Sequence, residues 1–241
     1  MGENTDKTMK VKVWRGKDSG DWQHYEVPHR ASQTILDVVT YIQRHLDDTL
    51  SYRFACRVGM CGSCAMTVNG KPRWTCRTHV SRVVENGEVS IAPLRNMPVI
   101  KDLACDMTEF FAKWQRAEGK FNGTRHEKMN PVDPTSTARQ AASAGIECIN
   151  CAVCYSACDV VSWNSEYLGP AALNRAWTLV NDERDDSQTE RLKAVATDAG
   201  CHSCHSQGSC AVHCPVGLNP SLSIAGLKRE SAKALLQGKL K

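Results

Sequence analysis

Of the thirteen cysteines in these 241 residues, eleven fall into spaced runs that could do chemistry together. Residues 148–158 read CINCAVCYSAC, and residues 204–215 read CHSQGSCAVHCP. Paired runs of the form C-x2-C-x2-C-x3-C hold iron–sulfur clusters, with the fourth cysteine of each run ligating the other run's cluster. Crossing the fourth ligands assigns Cys148, Cys151, Cys154 and Cys214 to one site, and Cys158, Cys204 and Cys210 to the other. Four thiolates can hold a 4Fe–4S cube. Three thiolates, with Gln207 where the second cysteine of the later run belongs, favour a 3Fe–4S cluster. A further run, CRVGMCGSC at 56–64, is followed by Cys76. Its C-x4-C-x2-C…C arrangement is that of a 2Fe–2S cluster on Cys56, Cys61, Cys64 and Cys76. Gly59, Gly62 and Ser63 are small enough to let the backbone pass close and aim N–H groups at sulfur, which tunes a cluster's potential.

Other metals compete for the same thiolates. Four of them also suit zinc, but the glycine-bearing x4–x2 loop argues for 2Fe–2S. CHSCH at 201–205 matches C-x-x-C-H, the attachment signature of a c-type haem. That use would take Cys204 from the three-thiolate site, and haem attachment normally needs export. The opening MGENTDK has neither an apolar secretory core nor an arginine-rich leader, so no export is expected. Cysteine usage then points to a reducing compartment and metal ligation, not disulfides. Cys105 and Cys201 are left over. Cys105 reads as a buried thiol without a chemical role. Cys201 is ambiguous, because filling the corner left by Gln207 would turn the 3Fe–4S site into 4Fe–4S.

The elements that must position these runs read as an α+β chain. Residues 9–15 and 22–27 alternate like half-buried strands, and Thr34 with Asp37 resembles a capping box. Ile35, Val38, Val39, Ile42 and Leu46 recur at helical spacing, most simply as core. After Cys64, residues 65–68 read as a strand, Asn69 and Gly70 as a hairpin turn, and the return delivers Cys76. Residues 88–92 close a β-grasp domain with Val89 and Ile91 on one face. From Lys101 the pattern turns helical, with Leu103, Met107, Phe110, Phe111 and Trp114 in one stripe. Residues 119–134 read as a connecting loop. Pro170 opens a helix carrying Leu173, Ala176, Trp177 and Val180. The acidic stretch 182–190 reads as solvated, and the following helix, with Leu192, Val195 and Ala199, is expected to stop at Gly200. The basic segment from Asn219, with Lys228, Arg229, Lys233, Lys239 and Lys241, reads as a solvated helix face or a contact for anionic headgroups or an anchor protein. The expected domains are 1–104, a plant-type 2Fe–2S ferredoxin-like β-grasp, and 105–241, a mostly α-helical two-cluster, bacterial-ferredoxin-like domain. A net charge of +4 is too mild to suggest nucleic acid, and no stretch approaches the roughly 18 apolar residues of a membrane span.

Taken together, the 2Fe–2S loop, PVIKDL at 98–103, ECINC at 147–151, LGPAA at 168–172 and the run from Cys204 to Pro220 resemble the iron–sulfur subunit of the succinate dehydrogenase/fumarate reductase family, respiratory complex II. The resemblance covers nearly the whole chain. It implies a partner flavoprotein carrying FAD, membrane-anchor subunits with or without haem b, and a place on the cytoplasmic face of a bacterial inner membrane. It further implies electron transfer through 2Fe–2S, 4Fe–4S and 3Fe–4S clusters between FAD and quinone, as succinate oxidation or, in reverse, fumarate reduction. It also implies a quinone pocket near Trp163, His205 and Lys228. Their plainer readings are a packed tryptophan, a surface histidine and a helix-surface lysine. Asp159 stands where proline is usual after Cys158, and its charge is expected to lower the 3Fe–4S potential. A freestanding multi-cluster ferredoxin is the alternative from another class.

Overall fold

The computed structural model describes residues 8–124 and 131–240. The leader expectation at residues 1–7, Lys241, and part of the expected 119–134 connection lie outside them. Two compact units divide the chain. The first comprises residues 1–107 and 149–156, the second 108–148 and 157–241.

The first unit is built on a five-stranded sheet, β1 (Thr8–Gly16), β2 (Gly20–Pro28), β3 (Ala65–Val68), β4 (Lys71–Trp74) and β5 (Glu88–Ala92), in the order β2-β1-β5-β3-β4. β1 and β5 pair in parallel and all other neighbours are antiparallel, the arrangement of a β-grasp. Alternation does the work expected of it: Met9, Val11 and Val13 face inward from β1, and Val89 and Ile91 from β5. Helix α1 (Ile35–His45) crosses this face and begins with the full capping box, Thr34 Oγ1 accepting from Asp37 N–H and the Asp37 carboxylate accepting from Thr34 N–H. Its Ile35, Val38, Val39 and Ile42 join the core, whereas Leu46 caps the helix and is largely exposed. Asn69 and Gly70 both take positive φ, +47° and +74°, as a two-residue turn between β3 and β4 requires.

One expectation fails here. Residues 99–105 form two short antiparallel strands, β6 (Val99–Lys101) and β7 (Ala104–Cys105), and not the start of a helix. Asp102 explains it. Buried at φ +52°, its carboxylate accepts from the N–H groups of Gly16 and Ser51 and pairs with Arg15, which fixes a turn. Cys105 is buried as expected but in a strand, with its thiol against the Leu94 carbonyl.

The second unit is helical: α2 (Thr108–Arg116), α3 (Thr137–Ile146), α5 (Asp159–Trp163), α6 (Pro170–Val180), α7 (Gln188–Val195), α8 (Ser209–Val212) and α9 (Pro220–Leu236). The short α4 (Val153–Ser156) belongs to the first unit. The apolar stripe of α2 is narrower than expected, because Phe110 is buried while Phe111 is exposed. α6 starts at Pro170 as its missing N–H allows, and buries Leu173, Ala176 and Val180 against neighbouring helices.

The acidic stretch 182–190 is not solvated throughout. Asp182 and Asp185 are 3% and 4% exposed. Asp182 pairs with Arg184 (2.7 Å) and Arg139 (3.5 Å), and Asp185 with the wholly buried Arg191. Arg191 also donates to the carbonyls of Glu118 (2.8 Å) and Lys120 (2.9 Å), so these charges act as internal fasteners. α7 ends at Val195, five residues before the expected stop at Gly200.

Candidate metal centres

In the first unit the loop between α1 and β3 folds back on its own sulfurs. The N–H groups of Met60 and Cys61 donate to Cys56 Sγ, both at 3.3 Å, and Cys56 N–H donates to Cys61 Sγ at 3.5 Å. Cys76 arrives on the helical turn Thr75–Arg77 directly after β4, and its N–H donates to Cys64 Sγ at 3.5 Å. Thr75 Oγ1 ties this turn to the Cys64 carbonyl at 2.7 Å. Cys64 and Cys76 are packed with Leu36, Tyr52 and Trp74.

The glycines in this loop are required by geometry. Gly59 and Gly62 sit at φ +79° and +70°, and a Cβ on Gly62 would lie 2.6 Å from the Cys151 Cβ. The electrostatics differ across the four thiols. The N–H of Cys56 and then the Ser63 hydroxyl hold the Cys61 thiol down to about 6, whereas burial and then Cys64 push the Cys76 thiol up to about 12. Thiolates gathered this closely suit a positively charged iron centre, and the N–H donors suit its sulfurs. The donor set fits a 2Fe–2S cluster.

In the first unit Cys151 lies just before α4, between two left-handed residues, Asn150 and Ala152, and Cys154 lies within α4. There Ser156 Oγ accepts from Arg95 N–H at 2.9 Å. Cys148 follows α3 in the second unit. Cys214, also in the second unit, accepts from Leu218 N–H at 3.3 Å.

Also in the second unit, Cys158, Cys204 and Cys210 border one cavity together with Tyr167, His205, Gln207, Gly208 and Ser221. Gln207 therefore faces the space it was expected to leave open. Ser206 N–H donates to Cys204 Sγ at 3.4 Å, and Cys210 Sγ lies 3.1 Å from Ser221 Oγ. Burial raises the thiols of Cys158 and Cys210, and the charge of neighbouring cysteines adds to it. Three soft donors with an N–H aimed at one of them fit a 3Fe–4S cluster. Cys201 is fully buried in the turn Cys201–Ser203, interacts with Ser231, and does not line this cavity. Among the described residues no three His, Cys, Asp or Glu side chains converge closely enough to hold a single metal ion.

The family model for a 2Fe–2S iron–sulfur cluster binding domain matches residues 8–112, and that for a 4Fe–4S dicluster domain matches residues 147–219. The fumarate reductase iron–sulfur subunit of Mycobacterium tuberculosis is 37% identical over 90% of this chain and 88% of its own length. That of Escherichia coli is 34% identical over 98% of both. The chain belongs to the fumarate reductase/succinate dehydrogenase iron–sulfur subunit family. A chain in the structure of the Mycobacterium smegmatis Sdh1 complex in the apo form agrees in fold, with a TM-score of 0.82 and 27% identity, covering 95% of this chain and 97% of that one.

Three further residues were singled out by resemblance to this family. Trp163 is 63% exposed at the end of α5, with its ring 6.3 Å from that of His205. His205 also lines the three-cysteine cavity. Lys228 differs: its Nζ donates to the Cys204 carbonyl at 2.7 Å, and it lines a separate cleft with Lys193, His202 and Ser231. Trp163 and His205 are thus brought together, while Lys228 touches the backbone of Cys204. Sequence reasoning missed Tyr167 and Ser221. The signal for Tyr167 was its place directly before the LGPAA motif, and for Ser221 its place just after Pro220.

Burial first, then the charges of Cys204, Cys158 and Cys210, push the Tyr167 phenol far above its ordinary range. Tyr167 is buried and lines the three-cysteine cavity with Cys204.

Proposed function

We propose that this chain is the electron-transfer subunit of a succinate:quinone oxidoreductase, carrying electrons between the FAD of a flavoprotein subunit and quinone held at a membrane anchor. The ligands are Cys56, Cys61, Cys64 and Cys76 for 2Fe–2S, Cys148, Cys151, Cys154 and Cys214 for 4Fe–4S, and Cys158, Cys204 and Cys210 for 3Fe–4S. The observation that carries this reading is similarity to iron–sulfur subunits along the whole chain, spanning every cysteine run. When bound, the clusters supply one-electron carriage.

The chain's own residues do the rest. N–H groups of Met60, Cys61 and Ser206 donate to ligand sulfurs, withdrawing negative charge and tuning potential. Leu36, Tyr52 and Trp74 keep water from Cys64 and Cys76. The exposed Trp163 offers its indole N–H to a quinone oxygen, and His205, close by, can hold or pass a proton. Lys228 steadies the Cys204 carbonyl from a separate, neighbouring cleft. No helix of the described residues is long and apolar enough to cross a membrane. Membrane attachment, on the cytoplasmic face of a bacterial inner membrane, therefore falls to anchor subunits, with or without haem b.

A second reading, quinol:fumarate reductase, is favoured by the names of the relatives. Rates measured in both directions on the purified complex distinguish the two. For the cluster set, low-temperature electron paramagnetic resonance of anaerobically purified complex should show a 3Fe–4S signal when oxidised and a 2Fe–2S signal when reduced. Absence of both would overturn the assignment. Recovery of the chain with its clusters but without flavin would favour a freestanding ferredoxin.

A further inference from the structure

α9 carries Lys228, Ser231 and Leu235 at helical spacing, which puts all three on one face. With Lys193 of α7, His202 of the turn Cys201–Ser203, and Leu240, that face borders a cleft of about 480 Å³ within the second unit. Sites for small molecules run from roughly 300 to 1,000 Å³. The cleft is separate from the three-cysteine cavity, and neither Trp163 nor His205 lines it.

Its polar side is cationic. No carboxylate lines the cleft, and among the described residues Lys193 and Lys228 have no ion-pair partner. Lys228 gives one of its three N–H donors to the Cys204 carbonyl at 2.7 Å, which leaves two donors and the full charge. Ser231 is the most buried of the lining residues, 4% exposed, and so forms the floor. Its Oγ is enclosed and has no hydrogen-bond partner among the described residues. Cys201, with which Ser231 interacts, offers only a weakly hydrogen-bonding thiol. A buried hydroxyl left in that state costs stability unless something else meets it. The other side is apolar, with Leu240 and the exposed Leu235.

We infer that this cleft binds a phosphate group, with an apolar wall suited to the first carbons of a lipid tail. The phosphate oxygens accept from Lys193 and Lys228 Nζ, a His202 ring N–H and the Ser231 hydroxyl, donors that come from three separate elements. Lysine serves a phosphate as a point charge and needs no fixed fork geometry. A carboxylate, with two oxygens in one plane, would leave part of this donor set unmet. An anionic phospholipid and free phosphate share the head-group chemistry and differ in whether Leu235 and Leu240 are used. The site lies outside electron transfer and does not depend on how the cysteines divide among clusters.

The test is equilibrium dialysis of the purified, delipidated complex against radiolabelled dihexanoylphosphatidylglycerol below its micellar concentration, and separately against inorganic phosphate. Lys193→Gln should weaken one saturable site about tenfold, because a charge-assisted hydrogen bond is lost. Ser231→Ala should weaken the same site several-fold, yet leave the melting temperature of the ligand-free complex unchanged or higher. Lys233→Gln removes a lysine of the same helix that is already paired with Glu230 at 2.8 Å, and should change nothing. Binding of the lipid alone supports the site with its apolar wall in use. Equal binding of inorganic phosphate, with the same dependence on Lys193 and Ser231, supports it with soluble phosphate as the ligand. Affinity unmoved in both Lys193→Gln and Ser231→Ala overturns the inference. So does equal weakening by Lys233→Gln, which would mean a diffuse basic surface, or a lower melting temperature in ligand-free Ser231→Ala, which would mean a hydroxyl partnered within the protein.

Discussion

At the residue scale, the centres depend on small geometric facts around each sulfur. Gly62 is the sharpest case. Its φ of +70° and the 2.6 Å approach a Cβ would make to Cys151 leave no room for a side chain. Gly62→Ala should cost about 1–3 kcal/mol of backbone strain and reduce 2Fe–2S occupancy, read as a lower melting temperature and a weaker reduced-state resonance. The cysteines separate by site. Cys204→Ser or Cys210→Ser should abolish the 3Fe–4S signal and leave the 2Fe–2S signal, since those sulfurs lie in different units. Joint loss would break the proposed ligand partition. Spacing made all eleven ligand candidates legible before any fold was known. Tyr167 was not read as a site residue: its place directly before the LGPAA motif was a signal, but a lone tyrosine there does not say what it faces.

At the scale of elements, local signals were good guides where one face of a strand or helix meets a core. The alternation of β1 and β5, the capping box of α1 and Pro170 at the start of α6 all did in space what their patterns imply. The failures have a common cause. Residues 99–105 carry apolar residues at spacing a helix could use, yet the buried Asp102 carboxylate accepts backbone N–H groups and makes a strand pair. The 182–190 stretch looks solvated by composition, yet its carboxylates meet Arg139, Arg184 and Arg191 inside the second unit. These pairings set a pH dependence. Hydrogen bonds from Arg184 are the main reason that the Asp182 carboxyl is depressed to about 2. A depressed carboxyl contributes stability that is whole above its ordinary range, near 3.9, and fades as pH falls toward about 2. Asp182→Asn should therefore lower thermal stability at pH 7 by about 2 kcal/mol, with the gap to the unaltered protein closing between about pH 4 and 2. A gap that stays constant across that window would mean that the carboxylate charge does not matter.

At the scale of the whole molecule, the proposed role is that of an electron carrier between a flavin and a quinone. In that proposal Trp163, exposed beside His205, is the residue whose substitution separates a quinone contact from electron transfer within the chain. Trp163→Phe should lower succinate–quinone turnover several-fold or more, while succinate oxidation by an artificial dye that bypasses the quinone pocket changes little. Equal losses in both assays would reduce Trp163 to packing.

Cysteine spacing alone determined the chemistry, because a cluster demands a set number of thiolates at separations a short loop can span, and few other arrangements meet that demand. Hydrophobic period marked β1, β5, α1 and α6, because burial on one face imposes it, whereas the short helices α4, α5 and α8 are too brief to show a period. Only the tertiary structure decided that residues 149–156 join the first unit, that Cys201 stays off the three-cysteine cavity, and that Tyr167 lines that cavity beside Cys204. Those outcomes depend on contacts between residues far apart in the chain, which no local pattern encodes.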